Sequence, residues 1–331
     1  LNDLLEKLPE TDKTFLFTFR PKDQGGKRKL TIGEKLKFWE RVFYWRKENF
    51  IIDVECDAKL LLAINPSKID RIVSFHDFAG TDLDLLWKTM SELAGGTVKI
   101  AVKANDVIDG LSVWKLLKLA KSEGKNIVPI AMGEAGKWTR ILGLAHGSYM
   151  TYASLDQGME TADGQITAKD LTEVYRVKEL DLNTKVYGVI GYPVSESLSP
   201  YIHNAAFAKH KINAVFIPLQ VKDLDAFIRR MVRPETREVE LNFAGFAVTM
   251  PHKEAIIKHL DAIDPTAEKI GAINTVKIDD GKLAGYNTDV FGFITPLKQR
   301  FGDLKNARVA IFGAGGAARS ITKQGPVVYR R

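Results

Sequence analysis

Short apolar, β-rich runs alternate with longer stretches of helical periodicity through the first half of the chain, and strict alternation of strand and helix implies a parallel sheet, open or closed. The runs are FLFTF (Phe15 to Phe19), FIIDVE (Phe50 to Glu55), RIVSF (Arg71 to Phe75), VKIAV (Val98 to Val102), IVPIAM (Ile127 to Met132) and YMTYAS (Tyr149 to Ser154). Between them lie stretches such as GEKLKFWERVFYWRKEN and GLSVWKLLKLAKSEG, with apolar residues spaced at three and four. The period of two within a strand puts Thr18 with Arg20, Ser74 with His76, and Thr97 with Lys99 on one face, with bulky apolar residues on the other. An open doubly wound sheet is apolar on both faces, whereas a barrel tolerates polar groups inside near the carboxyl ends of its strands. The pattern predicts a (βα) barrel with its site at those ends. A complete barrel takes eight units and about 250 residues, and this half carries fewer of both.

From Ala168 to Thr184 the sequence turns polar and helical, and a new α/β pattern starts at KVYGVIGYPV, placing a boundary near Asp181. A strand, a Ser-rich loop, a helix (PYIHNAAFAKHK), a strand (AVFIPLQV), a helix (LDAFIRRMV) and a strand (GFAVTM) ending before Pro251 follow. The 331 residues suit two domains at about 150 each. No apolar run approaches the roughly 20 residues of a membrane span, so membrane proteins are excluded. The single cysteine, Cys56, excludes an internal disulfide and a cysteine-built zinc site. The opening residues show no basic segment followed by an apolar one, so no signal peptide is expected, and with the single cysteine a cytoplasmic protein without a metal is expected. The net charge is +7, but Lys and Arg are interspersed with Asp and Glu, which points to anionic small substrates and not to nucleic acid.

Three features carry chemistry. Gly313, Gly315 and Ala318 form G-x-G-x-x-A directly after the strand VAIF. There the first glycine allows the tight turn, the second lets backbone approach a pyrophosphate, and the small third residue lets helix and strand pack closely. After Ser320 only ITKQGP precedes VVYRR, and Gly325 and Pro326 break helix there. Lys99 stands mid-strand among apolar neighbours, either as an amine nucleophile freed by burial or as a lysine at the barrel mouth paired with a carboxylate. His76 ends its strand, as a general acid and base or as a satisfied, partly buried imidazole.

With FTFR-xxx-QGG, SFHDF, VKIAV, MG-x6-R (Met132 to Arg140) and TADGQ (Thr161 to Gln165) in this order, the first half resembles type I 3-dehydroquinate dehydratase. With GYPVSESLSP, VTMPHK, GAINT, GYNTD and GAGGAA, the second half resembles shikimate dehydrogenase, and together they resemble a bifunctional fusion of the shikimate pathway. The fold implied is an α/β chain. Residues 1–172 are a type I TIM barrel lacking its first strands, 173–184 a linker, 185–288 the shikimate dehydrogenase substrate domain, and 289–331 the start of a Rossmann NADP-binding domain. The resemblance implies Lys99 as the Schiff-base lysine, His76 as its acid and base, and Arg20, Arg140, Thr161 and Gln165 as groups gripping 3-dehydroquinate. In the second half it implies Ser197 and Ser199 on the shikimate carboxylate and Thr249, Asn274 and Thr288 on the ring hydroxyls. Lys253 and Asp289 match the catalytic pair, and Gly313, Ala314, Gly315, Gly316 and Ala317 match the NADPH loop.

Some positions depart from the two families. Gln24 replaces a glutamate, Glu196 a histidine and Ala247 an asparagine. The chain is expected to begin after two barrel strands and to end inside the cofactor domain, so weak or absent dehydratase activity is expected of it in isolation. The competing class is a non-catalytic quinate- or shikimate-sensing homologue or an inactive gene fragment. Retention of Lys99, His76, Lys253 and Asp289 argues against decay by substitution.

Overall fold

The computed structural model describes residues 12–45, 50–57, 61, 70–93, 96–302, 309–311 and 328–330. The chain divides into two units, one of Leu1–Asn105 with Asp109–Ala168 and one of Asp106–Ile108 with Lys169–Arg331.

In the first unit, β1 (Phe15–Thr18), β2 (Phe50–Glu55), β3 (Arg71–Asp77), β4 (Thr97–Lys103) and β5 (Ile127–Met132) form one parallel sheet in the order β1-β2-β3-β4-β5. Neighbours in space are neighbours in sequence, which is the winding of a (βα) barrel; a doubly wound sheet reverses its order at a switch point. The sheet's outward residues, among them Ile52, Val54, Val73, Val98 and Ile100, are buried. Helices α1 (Ile32–Trp45), α2 (Leu83–Leu93), α3 (Leu111–Ser122) and α4 (Lys137–Leu142) occur in alternation with the strands. Along α3, Val113, Trp114, Leu116, Leu117 and Ala120 are buried, and Trp114 meets Trp138 of α4 with ring centroids 4.7 Å apart.

The sixth apolar run is not a strand. Tyr149 donates its amide to the Ile127 carbonyl (2.9 Å), and Ser154 forms only an isolated bridge with Thr167. Side chains, not a neighbouring strand, serve its acceptors: the Ser148 hydroxyl donates to the Met150 carbonyl (2.8 Å) and Arg140 Nη1 donates to that of Tyr152 (3.3 Å). Met150 and Tyr152 pack instead on the cluster of Ala101, Val128, Ile130 and Met132.

In the second unit a six-stranded sheet has the order β7-β6-β8-β10-β11-β9. The three expected strands are β6 (Lys185–Gly191), β7 (Ala214–Gln220) and β8 (Phe243–Val248), mutually parallel about β6. Beyond the expected strands lie β9 (Ala262–Ile263), β10 (Thr275–Asp279) and β11 (Lys282–Tyr286). The antiparallel hairpin of β10 and β11 turns on Asp280 and Gly281, both at positive φ (49° and 75°), the conformation that an Asp-Gly pair favours. Helix α5 (Ser199–Lys209) packs against the edge strand β7. There the buried Asn204 donates to the Phe216 carbonyl and accepts the Phe216 amide, both at 2.8 Å. Asn204→Ala strands both backbone groups, so an expected loss of about 2–4 kcal/mol should appear as a lower denaturant midpoint with an unchanged slope.

Further on, β12 (Val309–Ile311) and β13 (Val328–Arg330) pair in parallel. The glycine-rich run Gly313, Ala314, Gly315, Gly316 and Ala317 lies outside the described residues.

Candidate functional site

Ladder register assembles the first cluster. Thr18 stands opposite Asp53, Asp53 opposite Ile72, Ser74 opposite Lys99, and His76 opposite Ala101, so these polar residues share the inner face of the sheet. Asp53 is the hub: its Oδ2 accepts from Lys99 Nζ (2.9 Å), Tyr152 Oη (2.9 Å) and Arg20 Nη2 (3.1 Å). The Lys99 ammonium lies 3.8 Å from the Tyr152 ring centroid. Arg20 Nη1 contacts both ring nitrogens of His76, and Gln24 Oε1 accepts the His76 backbone N–H at 2.8 Å. Arg140, buried in α4, has no hydrogen-bond partner for its Nε among the described residues.

Charge and burial set the protonation states. Burial opposes the Asp53 carboxylate, but Lys99 and Arg20 outweigh it and hold the acid at about 2. Burial drives the Lys99 amine down, Asp53 partly restores it and Arg20 opposes it again, leaving the group at about 8. Burial, then Arg20 and Lys99, press His76 down to about 2, so its imidazole is neutral and faces a donor. Burial and the Asp53 charge push the Tyr152 phenol above its ordinary range, keeping it a donor. Lys99 is therefore paired with a carboxylate, and its amine is a weakened base.

Asp53 and His76 both have folded values below their unfolded ones, so each contributes stability above its unfolded pKa that is lost as pH falls. The His76 window runs from 6.5 towards about 2 and the Asp53 window from 3.8 towards about 2. Chemical denaturation at stepped pH should show stability falling from about pH 6.5 downward. His76→Asn should flatten the upper part of that slope.

Thr161 and Gln165 lie together on an exposed loop, where Gln165 Oε1 accepts the Thr161 amide at 2.8 Å. The loop is moored to the carboxyl end of β5. Gly133 N donates to the Asp163 carbonyl (3.0 Å), and Gly164, at φ 71°, sits so close that a Cβ would lie 2.2 Å from the Gly133 oxygen. Among the described residues no hydrogen bond joins Thr161 or Gln165 to Asp53, Lys99 or His76. Sequence reasoning missed Asp53 and Tyr152. The signal for Asp53 was an acid in the middle of FIIDVE.

The second cluster lines a cleft of about 400 Å³ whose walls include Ser197, Ser199, Thr249, Lys253, Asn274 and Asp289. Lys253 is on α6 (His252–Ala255), just after β8 and Pro251; Asp289 is the first residue of α7 (Asp289–Phe301). Lys253 Nζ donates to Asp289 Oδ2 (2.7 Å), and Asn274 Nδ2 donates to Asp289 Oδ1 (2.7 Å) and Thr288 Oγ1 (2.9 Å). Thr288 returns its amide to Asn274 Oδ1 (2.9 Å), so loop and helix start are clasped together. The His252 ring is fixed by the Val221 carbonyl (2.7 Å), and the Lys253 carbonyl accepts from Ile273 N (2.7 Å). Glu196 and Ala247 also line this cleft.

A sequentially wound parallel sheet with a buried lysine on its inner face, followed by a mixed sheet with a lysine–aspartate cleft, defines a two-unit α/β protein. The profile of type I 3-dehydroquinase matches residues 1–181, and the chain belongs to that family. The profile of the shikimate dehydrogenase substrate binding domain matches residues 189–276. The chain is 33% identical, over 97% of its length and 55% of the relative, to the bifunctional 3-dehydroquinate dehydratase/shikimate dehydrogenase, chloroplastic, of Arabidopsis thaliana. It is 32% identical to the shikimate biosynthesis protein AroDE of Chlamydia pneumoniae, over 82% of the chain and 55% of the relative. It is 43% identical to a shikimate dehydrogenase (NADP(+)) of Caldanaerobacter subterraneus, over 43% of the chain and 49% of the relative. The chain thus spans about half the length of these relatives. No helix among the described residues is long and apolar enough to cross a membrane.

Proposed function

We propose that the chain carries out two successive shikimate-pathway steps: dehydration of 3-dehydroquinate to 3-dehydroshikimate by residues 1–172, then reduction to shikimate by residues 185–331. The observation that carries this reading is the buried pairing of Lys99 with Asp53, beside His76 on the adjacent strand. In the first half the neutral Lys99 amine attacks the substrate ketone, the ketone oxygen leaves as water with the two amine protons, and a proton taken up from solvent leaves the imine nitrogen protonated. That cation acidifies the neighbouring C–H. His76 takes the proton and returns it to the hydroxide departing from the next carbon, and hydrolysis of the imine frees Lys99. Arg20 and Arg140 supply the charge for the substrate carboxylate. A carboxylate drawing Arg20 to itself also relieves His76 of its adjacent cation, which raises its basicity at the moment a base is needed.

In the second half Ser197 and Ser199 hold the substrate carboxylate, and Thr249, Asn274 and Thr288 hold ring hydroxyls. Lys253, oriented by Asp289, supplies the proton at the carbonyl oxygen. NADPH supplies the hydride when bound, and Gly313 to Ala317 would carry its pyrophosphate. Cytoplasmic placement belongs to this reading, with the Arabidopsis relative named as chloroplastic. The relatives' names favour an enzyme over a sensing homologue. Borohydride with 3-dehydroquinate should add mass to Lys99, and 3-dehydroshikimate should drive NADPH oxidation; a chain that binds both ligands and does neither is a sensor.

A further inference from the structure

Asp53 Oδ2 serves three donors, and the third, Tyr152, is a neutral phenol whose ring also carries the Lys99 amine at 3.8 Å. We infer that Tyr152 is a positioning residue for Lys99: its ring is the platform on which the amine rests, and its hydroxyl takes a share of Asp53 that would otherwise tighten on the ammonium. The inference rests on the Schiff-base reading of this site, which requires a free amine. The charged and titratable groups facing Lys99 are Asp53 from β2, Arg20 beyond β1, His76 from β3, Arg140 from α4 and Tyr152 itself. Of these, Arg20 and Arg140 disfavour the ammonium and Asp53 favours it. How firmly Asp53 holds the proton therefore depends on its other donors.

With Lys99 charged, the oxygen has three donors and the hydroxyl adds least. With Lys99 neutral, Tyr152 and Arg20 remain to stabilise the carboxylate, so the hydroxyl favours the neutral amine. The ring acts in the opposite sense, because an aromatic face attracts a cation. Tyr152→Phe keeps the ring and removes only the hydroxyl. Arg20 and Lys99 keep Asp53 paired in that variant, so folding is retained.

The pH dependence of Lys99 acetylation by acetic anhydride, read by mass spectrometry on the full chain, follows the amine without any substrate. Tyr152→Phe should move its midpoint up by about half to one pH unit, lowering Lys99 labelling at pH 7 about three- to ten-fold, while exposed Lys298 is unaffected. An unchanged or lowered midpoint overturns the inference. In Asp53→Asn, Tyr152→Phe should add no further upward shift, and one that persists there means the hydroxyl does not act through the carboxylate, which also overturns it. Trapping with 3-dehydroquinate and borohydride separates the two levels: no Lys99 adduct in the parent chain sinks the Schiff-base reading, whereas the acetylation midpoint judges Tyr152 on its own.

Discussion

Lys99→Ala is expected to abolish the borohydride-dependent adduct with 3-dehydroquinate and to lower any dehydratase kcat/KM by roughly four orders of magnitude or more, as removal of a covalent nucleophile does. The adduct is the sharper readout because it needs one turnover and survives slow catalysis. Within the inner face Lys99 is the amine held at about 8, so at neutral pH an appreciable fraction is already deprotonated. An ordinary surface lysine near 10.4 would offer about a thousandth. Loss of the side chain leaves Asp53 Oδ2 with Arg20 and Tyr152 as donors, so the carboxylate keeps a charged partner and the sheet is expected to persist. A thermal midpoint close to the parent's, together with the missing adduct, would separate lost chemistry from lost fold. An adduct of undiminished yield in Lys99→Ala would place the nucleophile elsewhere.

Legibility in the sequence followed how local each signal is. Lys99 and His76 stand out because a titratable side chain in or at the end of an apolar strand run is visible in half a dozen residues, and alternation alone assigns each a face. Asp53 carries the same local signal, yet its partners were not readable. They depend on Thr18 facing Asp53, Asp53 facing Ile72 and Ser74 facing Lys99, a register spread over four strands. Tyr152 was harder still. Its run has strand composition, yet it folds as a segment whose Met150 and Tyr152 carbonyls are served by side chains and which delivers a phenol to Asp53. The hairpin at Asp280 and Gly281 is the reverse case, a local Asp-Gly signal that the alternating α/β pattern obscured. In the second cleft the residues came through motif resemblance, but the clasp between Asn274 and Thr288 belongs to the folded chain.

Lys253→Ala should lower dehydrogenase kcat by about 10²- to 10⁴-fold, the range for removing a general acid, with a much smaller change in shikimate affinity measured by calorimetry. The split follows from the cleft. Ser197, Ser199, Thr249 and Asn274 remain on its walls, where the proposed function has them hold the ligand, and Asp289 keeps its bond from Asn274 Nδ2 at 2.7 Å. Asp289→Asn should cost less, because Lys253 keeps its proton and loses chiefly the partner that aims it. If the two act as a pair joined at 2.7 Å, the double variant should be scarcely worse than Lys253→Ala alone. Multiplicative losses would mean that Asp289 works on the substrate independently of Lys253. Equal losses in kcat and affinity would make Lys253 a binding residue and leave the proton at the carbonyl oxygen to another group.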